Sequence, residues 1–247
     1  MIYIFGYGSL INSYSLASTL LQFYSFSETQ LETLTKFLPH ENIFEKVQSI
    51  NNTILIVRIK GIKRGWFVYG LSPYIKSGGL SLTPTYLAAY PEKHCHCNGV
   101  LFPVSPEQLS RIDARESAAG YIRTPLAHDD IHFLKNPITL TPGDQVFYYA
   151  IDKAKMVKPS EEHPIIQSYV DICISGCIII DNLLQDDEFG FSIEFIMSTA
   201  RWSKHWINDR LKVYASHTYE PYTSQINKLL SLTIDESILE QIKIDPS

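Results

Sequence analysis

An α+β fold is predicted by three features of the 247-residue chain: short β-branched segments, short helical segments between them, and no regular alternation of the two. With 45% hydrophobic residues, a chain of this length can bury one sizeable core and carry an appended subdomain.

The elements follow in order. Ile2-Tyr3-Ile4-Phe5 reads as the first strand and runs into Gly6-Tyr7-Gly8-Ser9-Leu10, a binding loop. Its glycines let the backbone turn sharply and leave N–H groups open to an anion or a carbonyl oxygen, and Ser9 adds a hydroxyl. The plainer alternative is that the glycines only turn the chain at a strand end. A helix over residues 12–22 follows, with Leu16, Leu20 and Leu21 as its apolar stripe. Residues 25–52 read as less regular, and 53–59 as a β-branched strand.

His94-Cys95-His96-Cys97 invites a metal reading, but on a strand alternate side chains point to opposite faces, so a tetrahedral site would need distant partners. No metal is expected. Residues 99–104 read as a buried strand, and Ser105-Pro106 then opens a helix as N-cap and first helical residue, burying Leu109 and Ile112 on one face. Glu116 falls at the end of this short helix, before Ser117-Ala118-Ala119-Gly120, placed to project into a cleft. Further strands are expected at 121–127 and 146–151, with Tyr148 facing away from Tyr149. Residues 153–164, rich in Lys, Pro, Glu and His, read as a surface connection.

Cys173 and Cys177 share a helical face as small buried hydrophobes, because a nucleophilic cysteine would need a nearby His and an electropositive niche. From 181 to 247 the texture changes. Trp202 and Trp206, four apart, are expected on one helical face, either packing this extension onto the main domain or lidding the pocket.

Several of these stretches occur in a telling order: Tyr7-Gly8-Ser9-Leu10 after the first strand, then Gly99-Val100-Leu101-Phe102, then Leu109-x-x-Ile112-Asp113-x-Arg115-Glu116 with Gly120-Tyr121. Together they resemble the gamma-glutamylcyclotransferase-like superfamily. Gly61-Ile62-Lys63-Arg64-Gly65-Trp66, the strand ending Tyr148-Tyr149-Ala150, and Ser168-Tyr169-Val170-Asp171 fit the same resemblance, which covers residues 1–180. It implies a small mixed β-barrel with flanking helices as a first domain (1–180), whose open end holds the ligand, plus a helical C-terminal extension (181–247).

The resemblance also implies a reaction: the free α-amine of a γ-glutamyl compound attacks its own γ-carbonyl, closing a lactam and expelling an amine. Proximity is built into such a substrate, so folding it correctly and moving its protons are the main tasks. Glu116 aligns with the family's catalytic glutamate, as base and then acid. Read by position alone, it would be a solvated carboxylate paired to Arg115 or Arg111. Asp113 is its nearest competitor. The amides of Tyr7, Gly8, Ser9 and Leu10 would hold a carboxylate or carbonyl oxygen, and Tyr121 and Tyr149 match the pocket tyrosines; for both tyrosines a half-buried strand aromatic remains the alternative. No organic cofactor is implied. Leu10 stands where the glutathione branch often carries asparagine, and leucine occurs in branches acting on γ-glutamyl amines or on unknown substrates.

Composition narrows the partners. Net charge is −5 from 21 basic and 26 acidic residues, interspersed along the chain, which gives no electrostatic footprint for nucleic acid. No run of eighteen apolar residues and no basic leader with an apolar signal segment is seen, so a cytoplasmic protein with a small-molecule γ-glutamyl partner and no membrane contact is expected. Two other classes stay in view: a binding or regulatory protein that keeps the pocket without turnover, and a phosphate or nucleotide binder using Gly6-Tyr7-Gly8. The second lacks a third fingerprint glycine, since position 11 is Ile11, and has no Gly-Lys-Ser/Thr loop.

Overall fold

The computed structural model describes residues 1–21, 40–70, 74–75, 81–210 and 222–244. Its class is α+β. In chain order the elements are β1 (Ile2–Gly6), α1 (Ser13–Leu21), α2 (His40–Thr53), β2 (Leu55–Tyr69), β3 (Tyr74–Ile75), β4 (Ser81–Leu82), β5 (Thr85–Val104) and α3 (Pro106–Ala118). There follow β6 (Ile122–Pro125), β7 (Ile131–Phe133), β8 (Gln145–Ala150), β9 (Ile165–Ile166), α4 (Gln167–Leu184), α5 (Gly190–Ser198), β10 (Trp206–Asn208), α6 (Thr223–Thr233), α7 (Glu236–Leu239) and β11 (Lys243–Ile244).

A mixed sheet organises the molecule, in the order β11-β10-β9-β5-β1-β8-β6, with β2 pairing both β5 and β7. Strand β5 runs antiparallel to β1, with Phe5 opposite Leu101, while β8 lies parallel to β1 on its other side. The long β2–β5 pair extends from Leu55 opposite Leu101 to Tyr69 opposite Thr85, with a register shift at Gly61. Gly61 has φ +77, a left-handed conformation that glycine adopts without a Cβ penalty, and so it accommodates the bulge. The core lies on both faces of the sheet. Ile4 and Tyr149 pack with α4 and α5 on one face, and Tyr3, Phe5 and Tyr148 pack on the other, as strand alternation requires.

Side chains close the helix ends. Asn12 Oδ1 accepts from the Tyr14 and Ser15 amides at 3.0 and 3.1 Å, so Asn12 caps α1 and the helix begins one residue later than expected. Ser105 and Gln108 form a reciprocal capping box around Pro106 at the start of α3. Asp209, just beyond β10, caps α4 from a distance: the Ser168 amide and hydroxyl donate to it at 2.8 and 2.6 Å. Asp181, fully buried on α4, accepts from the Phe191 and Ser192 amides that open α5.

The structure corrects four local readings. Residues 40–52, expected to be irregular, lie in α2, whose Val47 and Ile50 bury one face; the expected irregular residues up to 39 and the expected helical Gln22 lie outside the described residues. Strand β2 starts at Leu55, because Thr53 ends α2, and it reaches Tyr69, ten residues beyond the expected end. Strand β6 stops at Pro125, short of 127. Trp202 and Trp206 share no helix: Arg201 is left-handed at φ +65, and Ala200 exchanges backbone hydrogen bonds with Arg64 and Trp66, which draws the chain onto β2. The two indoles stack nonetheless, at 5.3 Å, and Trp202 meets Trp66 edge-on at 5.2 Å. The tail is therefore helical in α5, α6 and α7 but also supplies β10 and β11 to the sheet. Helix α4 is long and apolar enough to cross a membrane by length and composition, yet most of it is buried in the core, with Cys173 and Cys177 on its inner face.

Candidate functional site

Strand β1 delivers Tyr7 and then a one-turn 3₁₀ helix, Ser9–Ile11, closed by hydrogen bonds from Ile11 N to Gly8 O (3.0 Å) and from Asn12 N to Ser9 O (3.1 Å). Inside such a turn the leading amides, those of Ser9 and Leu10, find no backbone acceptor. The loop is held from behind. Asn12 Nδ2 donates to Ser175 Oγ at 2.9 Å and to Ile172 O at 3.3 Å on α4. Gly176 lets α4 approach so closely that a Cβ there would lie 2.5 Å from the Asn12 nitrogen.

Arg64 is the loop's other anchor. It is fully buried, and among the described residues every acceptor it reaches is neutral: Tyr7 O (3.2 Å), Asn98 O (2.8 Å), Asn98 Oδ1 (3.1 Å), Phe195 O (2.8 Å), Ser198 Oγ (2.9 Å) and Thr199 Oγ1 (2.8 Å). The carbonyl and hydroxyl acceptors at residues 195–199 cluster at the C-terminal end of α5, where the helix dipole favours a cation. One guanidinium thus joins the loop, β5 and the end of α5.

Glu116 occupies the last turn of α3, with its side chain 13% exposed. Burial raises its pKa above the ordinary carboxylate value, and the nearby Arg115 guanidinium, Nε at 3.5 Å from Oε1, pulls the other way. Arg111, the other partner expected from sequence, pairs with Glu107 one turn back at 2.5 Å.

The expected pocket tyrosines gather around this carboxyl. The Tyr7 hydroxyl donates to Tyr149 O at 2.6 Å, Tyr121 donates to Leu87 O at 2.8 Å, and Tyr149 donates to Asp113 Oδ1 at 2.8 Å. All three phenols are pushed up, first by burial, and each also feels the Glu116 charge. Glu116, Tyr7, Tyr121 and Tyr149 are therefore one electrostatic cluster. Gly8, Ser9 and Leu10 enter it through the turn they build, and Leu10 is half-buried against the core.

Sequence alone does not mark two further members as site residues. Tyr169, at the start of α4, puts its hydroxyl 3.3 Å from where a Gly8 Cβ would sit, and its phenol is pushed up by burial with contributions from Cys173, Tyr121 and Tyr7. Arg64 is the second. Its signal lies in the strand period: Ile62, Arg64 and Trp66 alternate along β2 and all three are buried, so an arginine stands in an apolar phase.

Among the described residues no group of three or more His, Cys, Asp or Glu converges as metal ligands. His96 is exposed and Cys97 buried on opposite faces of β5, and burial pushes the Cys97 thiol up to about 11, away from thiolate character. A cavity of about 340 Å³ between α5 and α6, lined by Phe189, Ile193 and Leu229 among others, includes neither Glu116 nor any of the clustered tyrosines.

No protein-family model and no curated protein sequence matches the chain. Among solved structures it is similar to a gamma-glutamyl cyclotransferase, at 10% identity and TM-score 0.45 over 92% of this chain and 98% of that one. It is similar also to an uncharacterized human protein (12% identity, TM-score 0.39, 76% and 85% covered) and to a yeast gamma-glutamyl cyclotransferase specific to glutathione (12%, 0.36, 94% and 96%). With all three TM-scores below 0.5, the chemistry of the site rests on its own residues.

Proposed function

We propose that the protein is a cyclotransferase acting on a small γ-glutamyl compound. The observation that carries this reading is the nearly buried Glu116 carboxyl, with its raised pKa, among Tyr7, Tyr121 and Tyr149 beside the Gly8–Leu10 turn. A carboxylate of ordinary pKa, about 4.3, is a poor proton acceptor near neutrality, and burial corrects that.

The steps balance on one carboxylate. Glu116 takes a proton from the substrate's α-ammonium, and the freed amine forms a C–N bond to the γ-carbonyl carbon. The amides of Ser9 and Leu10 donate to the carbonyl oxygen as charge builds on it, and removing one such donor typically costs about 3 kcal/mol of barrier. The original amide C–N bond then breaks as Glu116 returns that proton to the leaving nitrogen; Glu116 next takes the second proton from the new ring nitrogen and passes it to the departing amine, so that 5-oxoproline and an amine in its ammonium form result. No water is consumed. In the same reading residues 1–180 hold the ligand, and the C-terminal extension packs on that part through α5 on Arg64 and Asp209 on α4.

The test is chromatographic or mass-spectrometric detection of 5-oxoproline from γ-glutamyl dipeptides, glutathione and γ-glutamyl-lysine, with native protein beside Glu116→Gln. Release by the native protein and its loss, by at least about a hundredfold, in the variant is expected. Equal release by both removes Glu116 from the proton transfer. Release by neither, from folded protein that still binds a γ-glutamyl compound, makes this a binding protein.

A further inference from the structure

Tyr149 and Asp113 form a pair that neither the strand nor the helix needs for its own formation. The Tyr149 hydroxyl donates to Asp113 Oδ1 at 2.8 Å, and Asp113 Oδ2 accepts from Arg123 Nη1 at 2.6 Å. Arg123 is also the cross-strand partner of Tyr149 in the β6–β8 register, so the sheet carries the cation to the point where α3 carries the carboxylate. Asp113 and Glu116 lie three apart on α3 and therefore on one helical face. One face of one helix supplies two carboxyls with different surroundings: Asp113 bound to a phenol and a guanidinium, Glu116 nearly buried beside Arg115.

A phenol has a single proton to give. With that proton committed to Asp113, the Tyr149 oxygen meets a ligand through its lone pairs, as an acceptor, and a charge-assisted bond holds it in that role. Tyr7 and Tyr121 commit their protons in the same way, but to the backbone carbonyls of Tyr149 and Leu87. Asp113 is the acceptor that a side-chain substitution can remove. In the proposed reaction, the substrate group that reaches Glu116 and has N–H to offer is the α-ammonium.

We infer that Asp113 is a positioning residue: it orients the Tyr149 hydroxyl as an acceptor for the α-ammonium of the substrate, which is thereby held beside Glu116. This rests on the proposed function and deepens it, since it makes the free α-amine the feature by which the site selects its ligand. A γ-glutamyl compound is accepted and the glutaryl compound with the same leaving group, which lacks the amine, gains nothing from the pair.

The test compares binding of a γ-glutamyl compound from the panel with that of its glutaryl counterpart by calorimetry. A Glu116→Gln background keeps the ligand from being consumed, and Asp113→Ala, Tyr149→Phe and the double variant are introduced into it. Each single change is expected to weaken γ-glutamyl binding roughly ten- to a hundredfold, as for one hydrogen bond to a charged group, with the double variant no weaker than the singles. Glutaryl binding should stay within about twofold throughout. Asp113→Asn, whose amide oxygen still accepts from the phenol, should keep most of the affinity.

Equal losses for both compounds, or losses that multiply in the double variant, overturn the inference. Native protein that binds the γ-glutamyl compound but never releases 5-oxoproline overturns the cyclisation, and the ratio of the two affinities then judges the pair by itself. Native protein that binds neither compound overturns both.

Discussion

Glu116 is subject to two opposed influences, burial raising its pKa and Arg115 lowering it. The proposed mechanism needs the carboxylate ionised when it meets the α-ammonium, so kcat/KM should rise with pH through the Glu116 pKa, above the ordinary value of about 4.3. Replacing the guanidinium in Arg115→Gln leaves burial unopposed. The sign follows: the folded-state pKa moves further up, and the acid limb of the profile moves to higher pH. Profiles from about pH 4 to about pH 8 for native and variant protein measure this, and a limb that stays in place would take Arg115 out of the site's electrostatics. Glu116 stands out in the sequence through the resemblance carried by Arg115-Glu116 and Gly120-Tyr121; by position alone it reads as a solvated carboxylate, and its near-burial is a product of the fold. Tyr149's partner was not legible. Asp113 meets it from 36 residues away, and no local pattern encodes that contact. Arg64 stands within a recognisable motif, but its six neutral acceptors come from three separate segments, and only the assembled fold shows that the arginine is buried.

At the scale of elements, the turn after β1 depends on helix α4 more than on its own sequence. Gly176 is the point of contact: its missing Cβ would lie 2.5 Å from Asn12 N, 2.7 Å from Asn12 Cα and 2.9 Å from Ile11 C, all backbone atoms that cannot rotate away. Alanine is the better helix former, by about 1 kcal/mol at a solvent-exposed position, yet here it must push the turn off the helix. Overpacking of this kind typically costs about 1–3 kcal/mol, which outweighs the propensity gain. Gly176→Ala is therefore expected to lower stability in urea unfolding and to cut 5-oxoproline release beyond what the lost folded fraction explains. A variant as stable and as active as the native protein would show that the turn is not held by this contact. The elements that sequence identified best were those whose signals are short-range, such as β1 and the capped start of α3. Those it missed were decided by partners. β2 and β5 run long because each completes the other, and the Trp202–Trp206 spacing of four matched a helical face although the segment is bound to the edge of β2 through Ala200.

For the whole molecule, the question is whether the tail from 181 onward is an ornament or part of the core. Helix α4 runs through residue 181, and the buried cluster beneath it takes Trp206, Ile226, Leu229 and Leu230 from the tail. Fully burying side chains of this size contributes about 2 kcal/mol each, so together they approach the 5–15 kcal/mol by which a domain is stable at all. Polar ties add to this. Arg210 grips Asp171 with two bonds of 2.6 and 2.7 Å, and Asp209 accepts from the Ser168 amide and hydroxyl at the start of α4, the helix that carries Tyr169 to the site. β10 pairs with β9, whose other neighbour is β5, so the tail is also hydrogen-bonded into the main sheet. A chain ended after residue 200 removes all of these together and leaves the inner face of α4 open to water. The expected outcome is loss of a cooperative thermal transition, read by circular dichroism, with rapid proteolysis of α4. Restoring residues 201–210 returns the Asp209 cap and the Arg210 pair but not α6, and should recover only part of the stability. A protein ended at 200 that still melts cooperatively and binds a γ-glutamyl compound would make residues 1–200 self-sufficient and confine the tail to the pocket entrance.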